Sequence, residues 1–263
     1  MIERNIFIAT PCAHGVVTDV YTASLFLLTK SLERSGVKSD LFLNNRSDIV
    51  HSRNELASLF LASPEYSHLL FIDSDMGFAP DYVLAMINTD HPFVSTACPR
   101  RRLNLQAVVA NAPEAKDGDS VQQYLDSCMS YVYEPIRNSQ TRKVVFQRFS
   151  SGEHQFAVVQ GTGSALVLLK REVFESIIAG QQVTKHMDDY YLANKAPYYG
   201  FYDKIQQENC IPMSEDFSFC QRWRNVGGEI IMGITPTIQH VGPMCFSGRF
   251  LNQLQYVTKE PLG

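Results

Sequence analysis

Two aspartates, Asp73 and Asp75, end the apolar run Leu69-Leu70-Phe71-Ile72 with one serine, Ser74, between them. In extended chain, side chains two residues apart face the same side. Carboxylates placed that way suit Mg²⁺ or Mn²⁺, above all when phosphate oxygens complete the shell. The same acids could instead cap the helix that Pro80 opens. A calcium loop starting at Asp73 would need an acid at its twelfth position, and Leu84 stands there. A second constellation, Gly161-Thr162-Gly163-Ser164, leaves room for close backbone approach by a ligand, or makes a tight turn between strands. It is no dinucleotide fingerprint, because Leu166 holds the third glycine position, and no P-loop, because no G-K-[ST] follows. Arg100-Arg101-Arg102 reads as a solvated basic loop that could also meet a diphosphate or an anionic acceptor. From Tyr190 to Tyr202, 6 of 13 residues are Tyr or Phe, which serve as packing or as a stacking wall for sugars and bases.

The elements that must position these groups follow from periodicity. Ile2 and Ile6–Ala9 read as a buried strand that stops at Thr10-Pro11. Thr18 or Asp19 starts a helix carrying Leu25, Leu28 and Leu32, with Gly36 past its end. Leu41–Leu43 make a second strand, followed by Asn44-Asn45. A helix from about Asp48 buries Leu56, Leu59 and Phe60. Then come the strand at 68–72, a helix from Pro80 with Val83, Leu84 and Ile87, and a strand at 92–97. Strand and helix alternate through the first hundred or so residues, which predicts parallel pairing. The loops after Ala9, Leu43, Ile72 and Ala97 then face one site at the carboxyl edge of the sheet.

Later signals are strands at 144–149, 156–160 and 165–169, and a helix at 172–178. A long polar and aromatic loop covers 181–213. Ser214 caps a helix ending at Gly227-Gly228, and strands at 230–234 and 237–241 close the core. The expected fold class is α/β with a mostly parallel central sheet flanked by helices and a smaller antiparallel part. Neither half holds a complete constellation, so residues 1–263 read as one domain, divided near residue 100.

Composition sets the outer bounds. The chain has 263 residues, 45% hydrophobic, 19% charged and 11% aromatic, enough apolar surface for a sizeable core. With 23 basic and 27 acidic residues, the net charge of -4 does not mark a general nucleic-acid binder. The 6 cysteines show no C-x-x-C spacing and read as free thiols. No run reaches the ~18 apolar residues of a membrane span. The expectation is a cytoplasmic protein without a transmembrane segment.

Arg53-Asn54, Leu69–Asp75 and Phe78 together resemble the nucleotide-binding half of a GT-A fold glycosyltransferase, of the family-2-like kind found in bacteria and viruses. The order of elements agrees. An aspartyl-phosphate phosphatase places its acid pair after the first strand, whereas here two strand–helix units come first and Met76 follows. Gly161–Phe174 resembles the middle segment of the GT-A fold. Ser214-Glu215-Asp216 with Phe219, Arg222 and Gly227-Gly228 is similar to the E-D helix of inverting members. His240-Val241-Gly242 resembles the late histidine of the metal site.

The resemblance implies Mn²⁺ or Mg²⁺ at Asp73, Asp75 and His240, with Asp73 acting directly, through water or on the ribose. It implies a UDP- or GDP-sugar donor near Thr10, Pro11, Asn45, Arg53, Asp73, Ser74, Gly161, Thr162 and Gly163. Asp216 becomes the general base, and Glu215 a group that orients hydroxyls. A structural histidine at 240, a solvated Arg53 and a purely dipole-stabilising Glu215-Asp216 pair are the plainer readings. Two other functions compete. A sugar-nucleotide nucleotidyltransferase would carry a basic, glycine-rich loop after the first strand, and Thr10–Gly15 has no Lys or Arg. A non-catalytic carbohydrate-binding protein on the same fold would not need the acids. The acceptor is a glycan or another hydroxyl, on lipid, protein or modified DNA. The last would use the arginine triplet with Arg137, Arg142, Lys143 and Arg148.

Overall fold

The computed structural model describes residues 4–111, 118–186, 196–208, 210–243 and 245–257. The first half runs β1 (Asn5–Pro11), α1 (Asp19–Arg34), β2 (Lys38–Asn44), α2 (Ile49–Ala62), β3 (His68–Ile72), β4 (Met76–Gly77), α3 (Pro80–Asn88), β5 (Phe93–Thr96) and β6 (Pro99–Leu103). Next come α4 (Leu105–Asn111), α5 (Gly118–Ser127), β7 (Met129–Tyr131), β8 (Tyr133–Arg137), β9 (Val144–Val145), β10 (Arg148–Ser151), β11 (His154–Thr162) and β12 (Leu166–Lys170). The chain finishes with α6 (Arg171–Ala179), β13 (Lys185–His186), β14 (Tyr198–Tyr199), α7 (Glu215–Asn225), β15 (Ile230–Gly233), β16 (Thr237–Val241), β17 (Cys245–Arg249) and α8 (Phe250–Val257). Among the described residues no helix is long and apolar enough to cross a membrane, and the cysteines form no disulfide.

A mostly parallel central sheet, flanked by helices, dominates. Its order is β2-β1-β3-β12-β5-β15-β11-β8-β9, with β10 on β11. β1 runs parallel to β2 and β3, and β5 parallel to β15. The first-half strands β1, β2, β3 and β5 all run the same way, as the strand–helix rhythm predicts, while β12, from the second half, enters antiparallel between β3 and β5. Smaller sheets join β17-β16-β4, β6-β7 and β13-β14. The strand at 237–241 therefore belongs to the three-stranded sheet and not to the central one.

Strand side chains alternate between two cores, as a pleated sheet buried on both faces requires. Phe7, Ala9, Leu69, Phe71, Val167 and Leu169 meet α2, α6, α7 and α8. Ile6, Ile8, Leu70, Ile72, Leu166 and Leu168 meet α1 and α3 on the other side. The helix ends follow local chemistry. Thr18 caps α1 by accepting from the Tyr21 amide, and Asp48 caps α2 by accepting from His51. Gly36, with φ of 71°, takes the left-handed position after α1. The Arg171 guanidinium donates to the carbonyls of Phe60, Leu61, Ser63 and Tyr66, closing the C-terminal end of α2.

His68 at the start of β3 links this packing to pH. Burial drives its imidazole down to about 4 from 6.5, and the charges of Lys170 and Arg4 push the same way against a smaller opposing pull from Asp90. The unfolded chain takes up the proton first, so the fold loses stability as pH falls from about 6.5 to about 4, by roughly 3 kcal/mol in all. Denaturation at about pH 7 and about pH 5 should show a flatter acid limb for His68→Gln than for the wild type. Parallel limbs would mean that His68 does not carry the effect.

Candidate active site

The acid pair sits in a turn whose backbone is held from three directions. The Asp73 amide donates to the Ala165 carbonyl at 2.8 Å, and the Met76 amide closes the turn onto the Asp73 carbonyl at 3.1 Å. Thr18, which caps α1, donates to the Ser74 carbonyl through its amide at 2.9 Å and its hydroxyl at 3.2 Å. The Val241 amide donates to the Asp75 carbonyl at 2.9 Å. The antiparallel entry of β12 matters here, because it brings its first residues, and Ser164 before them, to the carboxyl end of β3. By the β1–β2–β3 register, Pro11, Asn44 and Asp73 end at the same level of the sheet.

Arg53 organises the interior of the site. The guanidinium grips Asp73 with two contacts of 3.2 Å and donates to the Ser164 carbonyl at 3.1 Å. Its Nε lies 3.8 Å from Asp216 Oδ1. The Phe71 and Tyr202 rings flank it, each at 5.7 Å. Arg53 is only 3% exposed, so the reading of it as a solvated helix position is corrected. Arg53 shares the internal face of α2 with Leu56 and Phe60, three and seven positions on, and a second layer covers the adjoining face. Asn54 accepts from the Tyr202 amide and donates to Asp203, and Ser58 accepts from the Tyr199 amide. Residues 198–202 thus pack against the polar side of α2. The remaining aromatic positions, Tyr190 and Tyr191, lie outside the described residues.

The charges oppose one another. Burial works against the Arg53 cation, but Asp73 and then Asp216 hold its pKa above the ordinary range. Burial also raises the Asp73 carboxyl, and Arg53 draws it back while Asp216 and Asp75 add to the rise. Glu215 is raised by burial and by Asp216. Arg53 Nε, Asp73 Oδ1 and Asp216 Oδ1 are buried and complete no hydrogen bond among the described residues. Buried polar atoms in that condition call for a partner such as water, an ion or a ligand.

Asp216 comes from the first turn of α7, beside Glu215. Ser214 precedes the helix as expected, but its hydroxyl makes no cap bond. The glycines of the 161–163 run let this turn approach the sheet. A Cβ on Gly161 would strike the Phe217 ring at 2.6 Å, and one on Gly163 would lie 3.7 Å from Asp216 Oδ2. Gly161 and Thr162 belong to β11, and β11 does not pair with β12, so the run is not a tight hairpin turn. The Thr162 hydroxyl is buried on Ser95 at 2.9 Å, and the Thr10 hydroxyl on Tyr21 at 2.7 Å.

His240 reaches Asp75 through the three-stranded sheet, where it pairs with Met76. Its Nε2 lies 3.4 Å from Asp75 Oδ2, and its Nδ1 lies 2.7 Å from the Pro99 carbonyl. A carbonyl can only accept, so Nδ1 carries the proton and the neutral ring presents its lone pair at Nε2. Burial opposes protonation, yet the contacts to Asp75 and Pro99 raise the pKa on balance. Neighbouring ligands of an octahedral Mg²⁺ or Mn²⁺ lie roughly 3 Å apart, so this nitrogen–oxygen pair fits such an ion. Among the described residues no three His, Cys, Asp or Glu side chains gather as a ligand set. The ion would then complete its shell with water and phosphate oxygens, as Mg²⁺ commonly does.

Arg101 gave the least signal in sequence. The arginine triplet is solvated as expected but lies in strand β6 rather than a loop, and Arg101 Nη1 donates to Asp75 Oδ2 at 3.0 Å. Asn45 is exposed on the wall of a separate cleft of about 930 Å³ at the N-terminal end of α2, with Arg46, His51, Tyr198, Asp203 and Lys204. Asp73, Asp75, Asp216 and His240 do not line that cleft. The structure therefore brings together Arg53, Asp73 and Asp216, joins Asp75 to His240, and leaves Asn45 apart.

No protein-family model and no curated protein matches the chain. Several solved structures are similar to it, among them two at low identity. The crystal structure of A197 from STIV is 14% identical, with a TM-score of 0.44 over 91% of this chain and 86% of that one. A putative glucose-1-phosphate thymidylyltransferase from Bacillus anthracis, solved in complex with a sucrose, is 12% identical, with a TM-score of 0.30 over 66% and 74%. At such scores neither likeness bears on activity.

Proposed function

We propose that the chain is a single-domain, GT-A-type glycosyltransferase, metal-dependent and inverting, that moves a sugar from a UDP- or GDP-sugar to an acceptor hydroxyl. The observation that carries this reading is the buried Arg53, which joins Asp73 at the end of β3 to Asp216 at the start of α7. Donor-side acids and a candidate base are thereby fixed in one site. Asp75 and His240 would hold a divalent cation, with Asp73 reaching it through water, and the cation would offset charge on the diphosphate leaving group.

The residues of the chain divide the remaining work. Asp216 takes the proton from the acceptor oxygen as that oxygen attacks the anomeric carbon. Its Oδ2 lies close to the Gly163 backbone, where an added Cβ would sit 3.7 Å from it and 3.3 Å from Val132. Glu215 orients hydroxyls beside it. Arg53 opposes the burial that favours the neutral Asp73 carboxyl and holds it in place, so its role is positioning. Pro11, level with Asn44 and Asp73 at the carboxyl edge of the sheet, borders the region for base and ribose, whereas Asn45 lies on the separate cleft.

Hydrolysis of nucleotide sugars in Mn²⁺ tests the reading. Asp75→Ala should reduce the metal-dependent rate by about 100-fold or more. Equal rates in variant and wild type would remove the metal role. Release of pyrophosphate from a nucleoside triphosphate and a sugar phosphate would instead identify a nucleotidyltransferase.

A further inference from the structure

One oxygen, Asp75 Oδ2, faces both the Arg101 guanidinium at 3.0 Å and His240 Nε2 at 3.4 Å. A divalent cation bound between Asp75 and His240 would need that same oxygen. Two positive groups cannot share it without strong repulsion. The placement of Arg101 is also built in. Its aliphatic stem lies over Gly242, where an added Cβ would come within 2.8 Å of Arg101 Cδ and 3.3 Å of Cγ. Gly242 follows directly on Val241, whose amide holds the Asp75 carbonyl. The Arg101 side chain is half-exposed, at 52%, so its guanidinium can swing away without disturbing the core.

We propose that Arg101 is an exchangeable counter-cation of this site. It neutralises Asp75 while the carboxylate has no metal, leaves the carboxylate when a divalent cation binds, and then contacts the diphosphate of the donor. This deepens the glycosyltransferase reading and rests on it. The proposal gives Arg101 two opposed effects. It competes with the metal and assists the anion. An arginine that merely decorated the surface would do neither, and one that only stabilised the fold would not affect the two ligands in opposite directions.

The test uses Mn²⁺ alone, followed by electron paramagnetic resonance, on the full chain without donor. Arg101→Gln should bind Mn²⁺ about tenfold more tightly than wild type, and Arg101→Lys should lie between them. Gly242→Ala, which pushes the arginine stem aside, should shift Mn²⁺ affinity in the same direction as Arg101→Gln. At saturating Mn²⁺, inorganic pyrophosphate should bind about tenfold more weakly to Arg101→Gln. Unchanged Mn²⁺ affinity, or unchanged pyrophosphate affinity, in Arg101→Gln would overturn the proposal. Asp75→Asn separates the two levels of the argument. If it binds Mn²⁺ as wild type does, the metal site itself is wrong. If it loses Mn²⁺ while Arg101→Gln is unchanged, only the exchange is wrong.

Discussion

Arg53→Met should lower the unfolding free energy by about 3–5 kcal/mol, because it leaves buried carboxylates without their cation. The expectation follows from the position of Arg53 among the other groups. The side chain is 3% exposed, grips Asp73 with two contacts, and lies 3.8 Å from Asp216. Removing it leaves Asp73 and Asp216 facing each other in a poorly solvated space. Two responses are open to the protein: protonation of an acid, or local opening that admits water. Either would disturb the end of β3 and the first turn of α7 together. Denaturant titration measures the loss. Adding Asp73→Asn to Arg53→Met should recover part of it, since one of the stranded charges is then gone, and a double-mutant cycle isolates that coupling. A loss below about 1 kcal/mol would instead describe a solvated ion pair and would contradict the burial argument.

Asp216→Asn should reduce transfer by about 10²–10⁴-fold while leaving donor binding in Mn²⁺ nearly intact. Asparagine preserves the shape of the side chain but cannot take a proton from the acceptor hydroxyl. Glu215→Gln should have the smaller effect, since Asp216 is the acid that lies against Arg53 and the Gly163 backbone and Glu215 is given an orienting role. Separate measurement of kcat and KM decides the point. Equal weakening of donor affinity and turnover would make Asp216 a binding group rather than a base.

Much of the framework was legible in sequence, for a physical reason that differs from element to element. Helix α1 is bounded by Thr18 and Gly36, whose side-chain acceptor and left-handed backbone act locally. The β3 strand is a short apolar run ending in two acids, and it lies where expected. The direction of β12 was not legible. Its residues are apolar up to the terminal Lys170, and such a run fits a doubly buried strand in either direction. That choice proved decisive, since the antiparallel direction carries Ser164 to Arg53.

The site divides along the same line. Asp73, Asp75, Asp216 and His240 stand out by residue type and by order along the chain. The burial of Arg53 follows from spacing, since Arg53 stands three and seven positions before Leu56 and Phe60 on the same internal face of α2. Residues 198–203 cover the adjoining face by packing on Asn54 and Ser58. Within the arginine triplet nothing local distinguishes Arg101 from its neighbours. Its contact with Asp75 depends on where β6 lies and on the absence of a side chain at Gly242.

By itself, then, the sequence determined the strand–helix rhythm, the helix boundaries and the set of acids, because backbone preference and burial periodicity act over a few residues. Tertiary structure alone decided which cation each acid meets. Arg53 is separated from Asp216, and Arg101 from His240, by more than a hundred positions, and only strand pairing and helix packing close those distances. In a low-dielectric interior those pairings govern which carboxylates stay charged and which can receive a ligand.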